Sequence, residues 1–522
     1  MRAIHHFSKH KFYPFVLLSI FVYGFHFYFF HGGYFGYDDI EYCRLAYSLI
    51  NGEYDHSSLY AYRYGIILPL ALSYLIAGVN DFSNFITVFS LFMMVLILML
   101  QCIEGLSNKA KWAAWLFLMM SPMHLMYMEK PMPDIVVELG FLISFWGYYS
   151  ANFEQRNWKN KADWFVVGVM IMFLAKETFL IFYPFFLILM TFDLIKKNHI
   201  YFWKRVILLS IIFGLIYGLY SFFLLGDPLA RLKSIFDGQY TSVCSYELLP
   251  ISAVLHRIGS LFWLELTRNL FLFPLAMIPL LLKLDEPKVK FIIRSFIGLL
   301  LLANFMSISY TDYVPLCPDP RHHLYILPIG AMVLAYGFQN LSRVSLAHLL
   351  MSIGILLVLL LVSVYHAYEN TWWLYLPLMG ALVAGYKGQK PLFILALSMA
   401  FGSIYIQNVR YNKKVNYTSQ KALNMYVIES ISGQKYIITD RVNRDYGLFH
   451  SKFDTSETKF LDYTSWHRLM TDSEYPHYLI MNGMTSYLSN TSWESLPDFA
   501  KSAQDSLPKI FSNISGSVYK LK

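Results

Sequence analysis

The feature that most constrains this chain is the recurrence of apolar runs long enough to cross a bilayer. A hydrocarbon core of ~30 Å takes ~20 apolar residues in a helix, with ~17–25 the usual range. Runs of about that length lie at 12–30, 84–103, 111–127, 133–150, 162–175, 178–192, 203–225, 260–282, 290–309, 323–338, 345–365, 372–386 and 391–407. Of 522 residues, 56% are hydrophobic and 15% charged, where a soluble domain has about 45–50% and ~25%. One core cannot hide the excess, because single cores stop growing near ~250–300 residues. The four cysteines form no CxxC pair, which removes zinc-ribbon and thioredoxin-type readings. The sequence predicts an all-α polytopic membrane protein with about thirteen transmembrane helices. The run from Phe12 to Phe30 is too long for a signal peptide and lacks a small-residue cleavage site, so it reads as a retained first helix.

Two places leave the threading open. Gly65–Val79 is a short apolar stretch with Pro69 inside it, suited to an interfacial or re-entrant segment as well as to a short span. Residues 162–192 are interrupted by Lys176-Glu177 and form either one long helix or two short ones with a polar tip. Positive charge concentrates in cytosolic loops. If 65–79 stays on one side and 162–192 crosses twice, 19 of the 28 Lys and Arg before residue 410 fall on the cytosolic side. Reversing both choices misplaces only the loops at 104–111 and 151–161. The preferred threading puts the N-terminus inside and the C-terminus outside, with external loops at 31–83 and 226–259. Cys43, Cys244 and Cys317 then lie outside, as a Cys244–Cys317 disulfide or as free buried thiols. Residues 1–409 are the membrane part. Beyond Val409 no membrane-length run occurs, and strand-like patches appear at KYIITD (435–440), KFLDY (459–463) and HYLIMNG (477–483). Residues 410–522 therefore read as a small extracytoplasmic α/β domain.

Ionisable residues at a membrane boundary are costly, so their positions inform. Asp38, Asp39 and Glu41 stand together just after the first helix. A helix cap explains one such acid but not three. Asp134 follows Pro133, where helix capping competes with a functional role. On the preferred threading three basic sites share that face: Arg63, Lys176 in FLAKETFL, and Arg321 in CPDPRHHLYILP. Lys176 has a salt bridge with Glu177 as its alternative, although neighbours i,i+1 do not face each other on a helix. Arg321 has interfacial snorkelling. Acids and cations at one face suit chemistry on a phosphate-bearing lipid, with cations neutralising a leaving phosphate and an acid taking a hydroxyl proton. His322 with a carboxylate could also bind a divalent metal (Mg, Mn or Zn).

In this order and spacing, the elements resemble the GT-C glycosyltransferases, in the branch of the protein O-mannosyltransferases and aminoarabinose (lipid A) transferases. Asp38 matches the first acid of that family's acidic pair, with Asp39 where Glu is usual, and Tyr42 keeps the four-residue offset. Arg63 falls where the family often has Lys before two prolines, although YRYGIILP lacks that pair. Asp134 matches the second-loop acid, Lys176-Glu177 the Lys-Glu element, and Arg321 an Arg-Tyr-x-x-Pro-like element with His322 in place of Tyr. The resemblance implies inverting transfer of a sugar from a polyprenyl-phosphate donor to a hydroxyl of a lipid, glycan or protein. Asp38 would be the general base, aided by Asp39 and Asp134 or sharing a metal with Asp134 and His322. Arg63, Lys176 and Arg321 would hold the lipid phosphate. The short loops favour a bacterial inner membrane. Two other readings stay open at this point. One is a flippase or transporter of lipid-linked sugar. The other is a glycan ligase or polymerase, for which Arg231, Lys233, His256 and Arg257 in the 226–259 loop speak.

Overall fold

The computed structural model describes residues 12–154, 158–237, 245–246, 249–307, 313–368, 372–463, 475–488 and 506–521. The first helix, Tyr13–Phe30, buries Phe15, Ser19, Tyr23 and His26 along one stripe. Its other faces expose Leu17, Phe21, Tyr28 and Phe29, a surface suited to lipid rather than water. By length and composition six helices among the described residues can cross a membrane, or seven if the bent pair Ile251–Arg268 and Phe273–Leu281 is one span. Thirteen were expected. The runs at 323–338 and 372–386 form helices of 15 residues. The run at 111–127 falls on two short helices, Asn108–Met119 and Pro122–Tyr127. A helix inside a bundle is screened from lipid by its neighbours, so it need not be apolar along its whole length.

Both ambiguous segments are resolved locally. Tyr64–Ala77 is a helix of 14 residues with Pro69 inside, about 21 Å long at 1.5 Å per residue and so short of the bilayer core. Gly78 (φ 73) ends it, and Asn80 caps the next helix, Asp81–Cys102, by accepting from the Ser83 amide at 2.9 Å. The 162–192 run is broken. The helix Trp158–Ala175 stops, Lys176 is extended (φ −162, ψ 149), and a 3-10 turn, Glu177–Ile181, leads into the helix Phe182–Ile195. Phe173 meets Phe179 at 5.2 Å and Phe165 meets Phe186 at 4.8 Å, so the chain doubles back at Lys176.

The helix Asp134–Phe153 runs antiparallel to Trp158–Ala175. Gly140 lies against Gly168 and Met172, and Gly147 against Lys161 and Phe165. A side chain at either glycine would strike backbone, so the small residues permit this close helix approach. The consequence for function is direct: the start of the Asp134 helix and the Lys176 tip share one end of the bundle.

The C-terminal residues build a five-stranded sheet of order β2-β1-β3-β5-β4. The three strand-like patches become β1 (Lys435–Thr439), β2 (Thr458–Asp462) and β3 (His477–Asn482), with β1 central and parallel to both neighbours. The helix Arg441–His450 links β1 to β2, as a parallel pair requires a crossover. An unforeseen hairpin, β4 (Lys509–Asn513) and β5 (Gly516–Lys520), adds to β3 antiparallel. Leu423, Val427, Ile437, Phe460, Ile480 and Val518 make a small core of their own. Tyr417, Val442, Tyr446 and Phe449, by contrast, join the large core of the membrane part. Cys43 and Cys102 are free buried thiols and Cys317 is disulfide-bonded. The partner expected for Cys317, Cys244, lies outside the described residues.

Candidate active site

Asp38 opens the helix Asp38–Ile50. Its carboxylate is partly open, at 31% side-chain exposure, with Oδ2 3.8 Å from the Arg321 guanidinium. The Tyr60 hydroxyl donates to Oδ1 at 3.0 Å. Arg321 also stands 3.0 Å from Asp319. Burial opposes the charge on Arg321, but Asp134, Asp319 and Asp38 outweigh it and raise its pKa.

Asp39, expected to aid Asp38, is engaged by the backbone. It is fully buried, and its carboxylate accepts the backbone amides of Phe35 at 2.6 Å, Gly36 at 3.0 Å and Tyr37 at 3.2 Å. Burial raises its pKa, while those amides and Lys130 work against the shift. With its oxygens bound to the backbone, Asp39 shapes the loop that presents Asp38. Glu41, the third acid, is tied to Arg44 at 2.6 Å on the surface.

Deeper in, Lys176 and Glu177 each find a partner far away in sequence rather than each other. Lys176 Nζ lies 2.9 Å from Asp134 Oδ1 and 2.9 Å from His322 Nδ1, and His322 Nδ1 is 3.0 Å from the same Asp134 oxygen. Burial and the Lys176 ammonium push the His322 pKa down, while Asp134 acts in the opposite sense. Glu177 accepts from Arg63 Nη2 at 2.8 Å and from Nε at 3.3 Å, a two-point contact suited to the planar guanidinium. Arg63 also donates to the Tyr42 hydroxyl and lies over the Tyr60 ring at 4.9 Å. Tyr60 therefore bridges the mouth and the interior, with its hydroxyl on Asp38 and its ring under Arg63.

The expected metal set of Asp38, Asp134 and His322 is not assembled. Among the described residues no group of three or more His, Cys, Asp or Glu side chains could hold a metal ion. A lysine ammonium stands beside Asp134 where a cation would have to sit.

Comparison with solved structures is decisive for the fold. The crystal structure of ArnT from Cupriavidus metallidurans bound to undecaprenyl phosphate superposes with a TM-score of 0.55 at 12% identity, over 98% of each chain. The apo form of the same protein gives 0.53 at 11% identity, over 97% of each chain. The fold is that of ArnT. The ArnT-like fold extends over nearly the whole chain, and with its long apolar helices the protein is a multi-pass membrane protein. No family model matches the sequence, and no curated protein matches it.

Within this ArnT fold, Asp38, Arg63, Asp134, Lys176, Glu177, Arg321, His322 and Tyr42 all come to one end of the bundle. Two contributors escaped sequence reasoning, and a third was read only for another function. Tyr60 stands in the aromatic run YAYRYG that leads into Arg63, and Asp319 stands in the CPDPR segment; both were legible as text but not as contacts. The third is Arg231. It is almost wholly buried, and its guanidinium nitrogens have no hydrogen-bond partner among the described residues. It lies over Phe173 at 4.4 Å, at the wall of a cavity of about 660 Å³ lined by apolar side chains that include Val169, Phe213, Leu219 and Leu229. Arg257, read earlier with Arg231 as a polymerase-type cation, is instead occupied with the carbonyls of Leu316, Asn304 and Ala303.

Proposed function

We propose that this protein is an inverting glycosyltransferase that moves a sugar from a polyprenyl-phosphate donor to an acceptor hydroxyl at the outer membrane face. One observation carries the reading. Charged side chains from five separate chain segments, led by Asp38, Arg63, Asp134, Lys176 and Arg321, gather at one end of an ArnT-like bundle. The apolar cavity beside the buried Arg231 supports a lipid donor, since it offers hydrocarbon walls with one guanidinium among them. That an ArnT structure is bound to undecaprenyl phosphate supports the same donor class.

In this reading the acceptor hydroxyl enters at the mouth, where Asp38 is the exposed acid. Asp38 takes the hydroxyl proton as the oxygen attacks the anomeric carbon. The bond from that carbon to the phosphate oxygen breaks on the opposite side, and the electron pair leaves with the polyprenyl phosphate. Arg63, Lys176, Arg321 and Arg231 supply positive charge where negative charge develops. Asp134 and Glu177 hold Lys176 and Arg63 in place until the phosphate arrives. The site belongs to residues 1–409, and residues 410–522 form the outer domain. The disulfide at Cys317 supports an oxidising compartment on that side, the periplasmic face of a bacterial inner membrane.

The reading is tested with Asp38→Asn in membrane vesicles supplied with a polyprenyl-phosphate sugar. Transfer should fall by about 10²–10⁴, the usual worth of a general base. Near-normal transfer removes the base assignment. Mass spectrometry of envelope lipids and glycans from a deletion strain then names donor and acceptor: a missing sugar supports a transferase, whereas an unchanged profile with altered carrier pools favours a flippase.

A further inference from the structure

The segment His31–Tyr37 carries the chain from the first helix to Asp38, and it is held from both sides. Toward the membrane part, buried Glu129 accepts the Gly32 amide at 2.7 Å and pairs with His31, while Asp39 gathers the amides of Phe35 to Tyr37. The other side belongs to residues beyond 409. Gly33 and Gly36 have φ values of 72 and 80, and the Tyr417 ring and Val442 fill the space that side chains there would need. The Tyr446 hydroxyl donates to the Tyr34 carbonyl. The Tyr34 ring meets Phe449 edge-on at 5.0 Å.

Asp81 is where these contacts converge. It is the first residue of its helix. Its carboxylate accepts from the Tyr34 hydroxyl at 2.9 Å, the Tyr417 hydroxyl at 3.0 Å and Lys421 Nζ at 2.7 Å. His31 Nε2 lies 3.8 Å away. One side chain therefore joins a membrane helix, the loop before Asp38 and the C-terminal domain.

We propose that Asp81 and Lys421 form a latch through which the C-terminal domain sets the conformation of the His31–Tyr37 loop and hence the placement of Asp38. This rests on Asp38 acting in the transfer proposed above. Asp81 and Lys421 are positioning residues: they act through Tyr34, Tyr417 and the loop backbone. A loop with two left-handed glycines has wide freedom once its outer contacts loosen, and reactivity is sensitive to displacements of about 1 Å.

Hydrogen exchange of the full-length protein in detergent micelles tests the latch without any assay of transfer. Asp81→Asn and Lys421→Met should each speed exchange of the 31–37 amides several-fold. The double variant should not exceed Asp81→Asn alone, because the contact that Lys421→Met breaks is already lost there, and Lys421→Arg should restore protection. Unchanged exchange at 31–37 in both single variants overturns the proposal, as do additive effects or an increase spread evenly over the membrane helices. Lys421 is half-exposed, so its replacement leaves the core intact. In a transfer assay Asp81→Asn and Lys421→Met should each lower kcat with the donor KM unchanged. A wild-type protein without transfer overturns the function and not the latch, which the exchange data decide alone.

Discussion

The mouth and the interior of the candidate site use similar residues in opposite ways. Inside, Asp134, Lys176 and Glu177 are each at most 8% exposed, and every one has a partner within 3 Å. At the mouth, Asp38 and Arg321 are 31% and 22% exposed and stand 3.8 Å apart. A buried charge without its partner costs several kcal/mol, so the interior charges come paired. An acid that must take a proton from an incoming hydroxyl cannot be fully engaged. In the proposed reaction, the difference separates charges already held in ion pairs from the acid left open to an incoming hydroxyl.

Four measurements can break or sharpen that contrast. The largest effect expected on stability is at Lys176. Lys176→Met strands Asp134 and should cost about 3–5 kcal/mol in unfolding free energy, measured by thermal unfolding in micelles. The double variant with Asp134→Leu should recover much of that loss. Asp38→Asn should change stability by less than ~1 kcal/mol while abolishing most transfer. If it destabilises the chain as strongly as Lys176→Met, the division between mouth and interior fails.

Arg63→Lys retains the charge but loses the two-point contact with Glu177. An expected loss of about 1–2 kcal/mol follows, with weaker donor binding seen as a raised KM. A last effect, dependent on pH, lies in the C-terminal domain, at Asp445. Burial holds its pKa up at about 6, against a partial offset from Arg444. Between pH ~4 and 6 the folded chain therefore holds a proton that the unfolded chain has released, and stability falls as pH rises through this window. Asp445→Asn should flatten that slope and gain about 2 kcal/mol above pH 6. An unchanged slope between pH 4 and 6 contradicts the assignment.

Much of this was legible beforehand. The break at Lys176 could be placed because a Lys-Glu pair cannot continue an apolar run without cost, and the structure ends a helix there. The strands at 435–439, 458–462 and 477–482 showed as β-branched and aromatic patches. Other features were not legible. Asp38 and Asp39 are neighbours in an acidic cluster, and nothing in their order says that one faces the mouth while the other is wrapped in amides. Lys176 and Glu177 likewise gave no sign that their partners are Asp134 and Arg63, more than 40 and 110 residues away. The hairpin at 509–520 went unseen.

From the order of its residues alone, the chain was determined to live in a membrane, to carry acids and cations at its boundaries, and to have a polar α/β unit after the membrane part. Each of those properties depends on what a residue or a short run costs to transfer out of water, and that cost is local. Which acid meets which cation, which carboxylate stays open, and how Asp81 reaches Lys421 were decided only by the tertiary structure. An ion pair of this kind depends on distances of about 3 Å between atoms hundreds of residues apart, and those distances are set by helix packing.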